Sequence, residues 1–101
     1  MKISKKQKEK IKAQIKNLLS NEQEIQKIII FGSFVTSDTP NDIDIAVFQN
    51  SNDKYLPLSM KYRKLMRGMA SIIPYDIIPI QPDATGSFLK DIEAGEIIFE
   101  R

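Results

Sequence analysis

Residues 27–48, KIIIFGSFVTSDTPNDIDIAVF, decide the fold of this chain. The run KIIIF at 27–31 is short and β-branched and ends at Gly32, which predicts a strand buried on both faces. DIDIAVF at 42–48 alternates with period two, which predicts a strand with its branched aliphatic residues on one face and its two aspartates on the other. The turn-forming cluster DTPN at 38–41 separates these two strands.

Outward from this centre, helical and strand patterns alternate along the chain. An apolar helical face predicts an amphipathic helix over residues 3–19, carried by Ile11, Ile15, Leu18 and Leu19. A short helix is predicted after Ser33, and a longer one from Pro57 and Ser59 to about Ile72. The apolar side of the longer helix consists of Met60, Leu65, Met66, Met69, Ile72 and Ile73. The predicted elements end with a strand over 75–80, in which Pro79 marks an end or an edge, a helix over 88–94, with Ser87 as N-cap and Gly95 after it, and a strand over 97–99. This order predicts an α/β (α+β) fold in which helices pack against a small mixed β-sheet.

Length and composition limit the chemistry. The 101 residues are 42% hydrophobic and 28% charged, which is typical of one folded domain over residues 1–101. The sequence contains no cysteine and no histidine, so Ser-His-Asp and Cys-His mechanisms and cysteine-based zinc sites are excluded. Catalysis would therefore use carboxylates, hydroxyls, lysine or arginine, and a hard oxygen-bound metal such as Mg²⁺.

Positive charge is concentrated in a basic N-terminal helix, residues 1–20. Residues 1–16 contain seven lysines and one glutamate. No aromatic residues are interleaved with them, so we expect a solvated helix face rather than a nucleic-acid-binding surface. A basic nucleic-acid-binding protein is an alternative that rests on these lysines alone. The start of the chain lacks the apolar middle of a signal peptide and no apolar run reaches the roughly 18 residues of a membrane span, so we expect a cytoplasmic protein.

Carboxylates are the most informative polar residues of the chain. Asp42 and Asp44 stand at i and i+2 of a predicted strand, so their side chains project to the same side. Carboxylates this close repel each other unless a cation lies between them. Asp76 lies in a later strand, and the three acids converge if the two strands are neighbours. We therefore expect Asp42, Asp44 and Asp76 to bind a divalent metal, against the alternative of a merely solvated strand face.

A glycine-serine pair precedes these acids. Gly32 directly follows a buried strand, where glycine permits a tight turn and close backbone approach. Ser33 offers a hydroxyl and an N–H group suited to phosphate oxygens. A phosphate-binding turn followed by a metal site is the minimum needed to handle a nucleoside triphosphate, so the spacing predicts phosphate binding at Gly32 and Ser33, against the alternative of a glycine that merely ends a strand.

Together, these motifs resemble the signature of the polymerase-beta-like nucleotidyltransferase superfamily: Gly32-Ser33, Asp42-x-Asp44 and Asp76. The small size resembles its minimal nucleotidyltransferase branch, which includes antitoxins paired with HEPN-domain toxins. The resemblance implies a nucleotidyltransferase-like fold with a catalytic core over residues 27–80. It implies that the Gly-Ser pair binds the triphosphate, that the first two aspartates hold Mg²⁺, and that the third acid completes the cluster and takes the acceptor's proton. The implied reaction transfers a nucleoside monophosphate, AMP from ATP or another nucleoside triphosphate, to a hydroxyl of a partner protein such as a HEPN-type toxin.

One stretch departs from the pattern of that family. Phe34-Val35-Thr36 follows the Gly-Ser pair where many members place an arginine and a second glycine, and only eight residues separate the pair from Asp42. An alternative is therefore a catalytically degenerate module that keeps the fold and neutralises a partner by occlusion. A chain of this size leaves little surface for an acceptor, so we expect a separate protein to present it. The sequence leaves the oligomeric state open.

Overall fold

The computed structural model describes residues 2–101 and contains one four-stranded sheet. The helices and strands are α1 (Lys5–Leu19), β1 (Ile25–Phe31), α2 (Ser33–Thr36), β2 (Ile43–Gln49), α3 (Tyr55–Leu65), a 3₁₀ helix (Arg67–Ser71), β3 (Tyr75–Ile80), α4 (Phe88–Glu93) and β4 (Glu96–Glu100). The strand order is β3-β2-β1-β4, with β1 antiparallel to β2 and β4, and β2 parallel to β3. This mixed sheet with packed helices confirms the predicted fold class. Met1, the first residue of the predicted segment 1–20, lies outside the described residues.

The basic helix α1 covers one face of the sheet through three buried residues: Ile11, Ile15 and Leu19. Ser4 Oγ accepts a hydrogen bond from the Gln7 N–H at 3.1 Å, and the Ser4 N–H donates to Gln7 Oε1 at 2.8 Å. This capping box satisfies two amides that the first turn leaves free, so the helix begins just after Ser4 instead of at residue 3. Leu18, predicted on the apolar face, lies exposed at its edge.

The sheet is buried on both faces. On one face, Ile43, Ile45 and Val47 of β2 belong to the main core beneath α1 and α3. Ala46 points to the other face and joins a smaller cluster that includes Ile92 of α4. The alternation confirms the period-two prediction, and it places Asp44 on the same face of the sheet as Ala46.

The helix predicted to run to about Ile72 is interrupted. After α3 ends, Met66 has a φ of −97° and a ψ of 12°, and the chain continues as the 3₁₀ helix. There the Met69 N–H donates to the Met66 carbonyl oxygen at 2.8 Å, three residues back. Gly68 lowers α-helix propensity in this stretch and Pro74 disfavours helix in the residue before it, so the prediction of one continuous helix was wrong.

The apolar side of α3 also differs from the prediction. Leu58 and Tyr62, at i and i+4, are fully buried and hold the helix on the core. Met60 and Ile72, which were predicted on that side, are instead exposed. Met60 therefore lies on a helix face that the rest of the described chain leaves uncovered.

The last part of the chain supplies the two edges of the sheet. β3 is an edge strand, which agrees with the position of Pro79 in it, because an edge strand tolerates a residue without an N–H. Ser87 was predicted as the N-cap of α4, but its φ of −66° and ψ of −25° are helical and its side chain makes no capping hydrogen bond. Across residues 2–101, every helix is too short or too polar to span a membrane.

Candidate active site

The three predicted acids meet at one end of the parallel strand pair. Asp44 of β2 and Asp76 of β3 are direct partners in the register, so their side chains leave the sheet on the same face. Asp42 immediately precedes β2. One carboxylate oxygen from each residue lies within 4.8 Å of the others. The structure thus brings together all three acids that the sequence singled out.

Negative charge is poorly compensated in this cluster. Partial burial, followed by the charges of Asp42 and Asp76, raises the pKa of the Asp44 carboxyl above its ordinary value. Among residues 2–101, one cation approaches the three acids within ion-pair distance, namely Arg63, whose Nη2 lies 3.9 Å from Asp76 Oδ1. Because three carboxylate oxygens converge with so little opposing charge, the donor set fits a hard divalent cation that binds oxygen ligands.

Gly32 lies directly against Asp44. Its φ of 80° and ψ of −156° fall in a region that only glycine adopts readily. An added Cβ would lie 2.5 Å from Asp44 Oδ2. Phe31 pairs with Asp44 across β1 and β2, which explains why the next residue turns over the carboxylate. The backbone of the predicted phosphate-binding turn is therefore immediately adjacent to the acids.

A groove of about 410 Å³ opens beside Asp44. Its other lining residues come from the turn after β1 and from the end of α4: Phe31, Gly32, Val35, Thr36, Asp91, Ala94 and Gly95. Ser33 begins α2 with an exposed side chain and is not part of this lining. The structure therefore unites Gly32 with Asp44 in one groove and leaves Ser33 next to it.

The turn after Gly32 is anchored by the core and by α1. Phe34 is buried, and Lys8 Nζ lies 5.4 Å from the centre of its ring. The same ammonium donates a hydrogen bond to the Ser37 carbonyl oxygen, and the Ile3 N–H donates to the Asp38 carbonyl oxygen at 2.9 Å. Residues 33–38 carry no basic side chain. The departure at Phe34-Val35-Thr36 is thus a fixed part of the structure, held through Phe34.

Two residues of this region have roles that the sequence did not reveal. The contact of Arg63 with Asp76 depends on how α3 lies relative to β3, which no local sequence pattern encodes. Gly95 was interpreted as a residue that ends a helix, yet an added Cβ there would lie 2.3 Å from the Ile30 carbonyl oxygen. Gly95 therefore lets the end of α4 lie against β1 and form the far wall of the groove. The sequence feature that could have indicated this role is the position of Gly95 between a short helix and a strand.

Comparison with protein families gives one match over most of the chain. Residues 13–101 match the family described as Polymerase beta, Nucleotidyltransferase. No curated protein matches the chain in sequence.

Solved structures of similar fold come from toxin–antitoxin complexes. A chain of the toxin–antitoxin MntA-HepT has a TM-score of 0.65 and 20% identity, over 92% of this chain and 73% of that one. A complex of tri-AMPylated Shewanella oneidensis HEPN toxin with MNT antitoxin gives a TM-score of 0.63 and 21% identity, over 93% and 73%. A toxin–antitoxin structure with AMP-PNP gives 0.63 and 22%, over 89% and 73%. At these identities the likeness shows a shared fold.

Proposed function

This chain belongs to the polymerase beta nucleotidyltransferase family, and we propose that it transfers a nucleoside monophosphate, AMP from ATP, to a hydroxyl of a partner protein. The observation that carries the proposal is the convergence of three carboxylates beside a glycine turn. We further propose that the chain acts as a single domain, residues 1–101, whose catalytic core spans residues 27–80.

Asp42, Asp44 and Asp76 are the proposed metal ligands. Their oxygens lie within 4.8 Å of one another, and the pKa of the Asp44 carboxyl is raised by burial and by its two acidic neighbours. A divalent cation would offset both effects, because it replaces lost hydration and neutralises the like charges. Mg²⁺ is the proposed ion, since hard cations of this kind accompany triphosphates in phosphoryl-transfer sites.

Gly32 and Ser33 are the proposed triphosphate-binding residues. The missing side chain at Gly32 lets the turn lie directly against Asp44, so phosphates bound by the turn would lie beside the acids. The adjoining groove of about 410 Å³ is within the range of small-ligand sites. Ser33 follows in the chain and offers an exposed hydroxyl and an N–H group. The arrangement supports a nucleotide whose phosphates lie between the turn and the acids.

In the proposed reaction, the acceptor hydroxyl oxygen forms a bond to the α-phosphorus while the bond to the departing pyrophosphate breaks. Asp76 is the best placed of the three acids to take the hydroxyl proton, because it is 64% exposed at the edge strand while Asp42 and Asp44 are partly buried. Asp42, just before β2, and Asp44, in β2, would hold the metal ion beside the transferred phosphate. When bound, Mg²⁺ supplies charge neutralisation at the transferred phosphate.

A HEPN-type toxin is the proposed acceptor, which would make this chain an antitoxin. The support comes from the fold shared with chains of toxin–antitoxin complexes, one of which contains an AMPylated HEPN toxin and another AMP-PNP.

The proposal is tested by incubating the protein with α-labelled ATP, Mg²⁺ and the protein encoded by the neighbouring reading frame. We expect label to appear on that protein and to be lost with Asp44→Asn, which removes one carboxylate charge with little change in shape. Lys90→Gln on α4 is a matched control that changes charge on the exterior of the molecule. Absence of transfer with all four nucleoside triphosphates would refute the enzymatic proposal.

A second candidate function is neutralisation by occlusion alone. It is favoured by one observation, the absence of a basic side chain in residues 33–38, next to the proposed phosphate site. A tight complex with the partner, no label transfer and no effect of Asp44→Asn on affinity would support it over the enzyme.

A further inference from the structure

The outer face of α3 carries exposed apolar side chains near Arg63, the arginine that reaches Asp76 at the edge strand β3. Leu56, Met60 and Arg63 stand at i, i+4 and i+7 and therefore share this face, which we call the α3 outer face. Leu56 is 65% exposed and Met60 is 63% exposed. The opposite side of the helix is buried through Leu58 and Tyr62. Adjacent exposed apolar side chains of this size are typical of an interaction site when they adjoin functional residues.

Arg63 connects this face to the acids. Its guanidinium lies 3.9 Å from Asp76 and 5.9 Å from the centre of the Tyr75 ring, and its Nε lies 3.4 Å from Ser59 Oγ. These contacts hold the arginine at the C-terminal end of the outer face while its side chain is still 46% exposed. The Asp76 side chain leaves β3 on the face opposite α3, so a molecule lying on Leu56 and Met60 would reach Asp76 by passing Arg63 at the edge of the sheet.

The order of the strands in the sheet shows where Arg63 lies relative to Gly32 and the three acids. Gly32 follows β1, Asp44 lies in β2 and Asp76 lies in β3, in the spatial order β3-β2-β1. The phosphate-binding turn and Arg63 thus stand on opposite sides of the central acid. If phosphates occupy the Gly32 side, then the side bordered by Arg63 is left for the hydroxyl that attacks them.

The charge of this surface restricts what can bind. α3 contains no acidic residue. Lys61 is already paired with Glu22 and Glu24, but among residues 2–101 Lys64 and Arg67 have no ion-pair partner and both are exposed. The C-terminal end of the α3 outer face is therefore basic, and it is complementary to a partner that carries a carboxylate.

We propose that the α3 outer face is the docking surface for the acceptor segment of the partner protein. That segment lays apolar side chains on Leu56 and Met60 and pairs a carboxylate, near its acceptor hydroxyl, with Arg63. The pairing draws Arg63 away from Asp76 and places the hydroxyl at that acid. The identification of the hydroxyl as acceptor rests on the proposed function, whereas the docking contact does not depend on catalysis.

The test measures binding and transfer separately, with the protein encoded by the neighbouring reading frame as probe. Met60→Lys should weaken the complex by at least about tenfold, because a central apolar contact is replaced by a charge. Ile97→Lys, at a residue that is 51% exposed on β4, is the matched control and should change the affinity by less than about twofold. The affinity for Mg²⁺ and ATP should stay unchanged in both variants.

Arg63 is tested by the kinetics of label transfer. Arg63→Gln should raise the KM for the acceptor protein and leave the KM for ATP unchanged, and Arg63→Lys should recover part of the loss because it keeps the charge. An increase in the KM for ATP instead would assign Arg63 to the nucleotide and overturn its role. The docking surface is overturned if the wild-type chain forms no complex with the probe, or if Met60→Lys binds it as tightly as the wild type. A complex that Met60→Lys weakens, together with no transfer by the wild type, refutes the enzymatic function and leaves the docking surface standing.

Discussion

Replacing Gly32 by alanine places a methyl group where Asp44 already lies. The added Cβ would be 2.5 Å from Asp44 Oδ2, well inside van der Waals contact, and Gly32 has a φ of 80° with a ψ of −156°. Both the carboxylate and the backbone must therefore move. Because Asp44 is the central acid of the cluster, the same substitution should disturb folding and cation binding together.

The stability cost of Gly32→Ala follows from the backbone. A residue other than glycine held in this region costs about 1–3 kcal/mol. For a domain of this size, each kcal/mol lowers the melting temperature by roughly 4–8 °C, so we expect a decrease of roughly 5–20 °C. A displaced metal ligand should also weaken divalent binding by about 10–100-fold, as seen when the residues that orient metal ligands are changed.

Gly68→Ala is the matched control for this experiment. No atom lies within 4 Å of a Cβ added at Gly68, and the residue does not have a positive φ. The free energy of unfolding should change little or rise by about 0.4–1 kcal/mol, since alanine reduces the freedom of the unfolded chain. Thermal unfolding monitored by circular dichroism and Mn²⁺ titration by calorimetry measure the two effects. The reasoning is refuted if Gly32→Ala melts within a degree of the wild type, or binds Mn²⁺ equally well.

Three further changes have expected outcomes that follow from the structure. Without divalent ions, Asp44→Asn should raise the free energy of unfolding by about 0.2–1 kcal/mol, because it removes like-charge repulsion. The melting temperature of this variant should no longer increase with added Mg²⁺. A decrease in the free energy of unfolding would contradict this reasoning. Burial, with the hydrogen bond from its hydroxyl to Glu24, raises the pKa of Tyr62 above its ordinary value of 10.0, so this contribution to stability is present below that pH and lost above it. Ultraviolet titration of the wild type against Tyr62→Phe should show that Tyr62 ionises only as the protein unfolds, and ionisation of Tyr62 in the folded protein would contradict the burial argument. Gly95→Ala places a Cβ 2.3 Å from the Ile30 carbonyl oxygen and should cost about 1–3 kcal/mol in urea unfolding, because this backbone atom cannot rotate away as a side chain can; a neutral effect would show that α4 moves freely.

The arrangement of the sheet around the acids could be predicted because it follows from side-chain alternation. Ile43 and Ile45 had to face the core, which fixed the direction of Asp44. In β3 the apolar residues lie on both faces, so its pattern alone did not fix the direction of Asp76. The two acids share a face because the strands pair with Asp44 opposite Asp76. The roles of Gly32, Ser33 and the three acids in catalysis stay predictions.

Features that depend on how elements cross were not predictable. The helix predicted to reach Ile72 breaks after Met66, where the chain must both bury Met69 and turn into β3. Met60 was placed in the core by its hydrophobicity, although Leu58 and Tyr62 occupy that side of the helix. Hydrophobicity alone cannot tell which of two apolar stripes on one helix faces the core. The exposed stripe of α3, which includes Met60, ends at Arg63 near Asp76.

The electrostatics of the acid cluster favour an enzyme over a module that acts by occlusion alone. A partly buried Asp44 beside two further carboxylates costs folding free energy, and Arg63 at 3.9 Å from the most exposed of them offsets little of it. Occlusion of a partner does not require these carboxylates to be close together. A bound divalent cation, by contrast, relieves their repulsion, and that relief contributes to the free energy of cation binding. A ligand that binds only the folded state at 100 times its Kd contributes about 2.7 kcal/mol, more than the repulsion it relieves. Ionisable groups with perturbed pKa values cluster at functional sites, so the carboxylates that weaken the free chain support the proposed metal site.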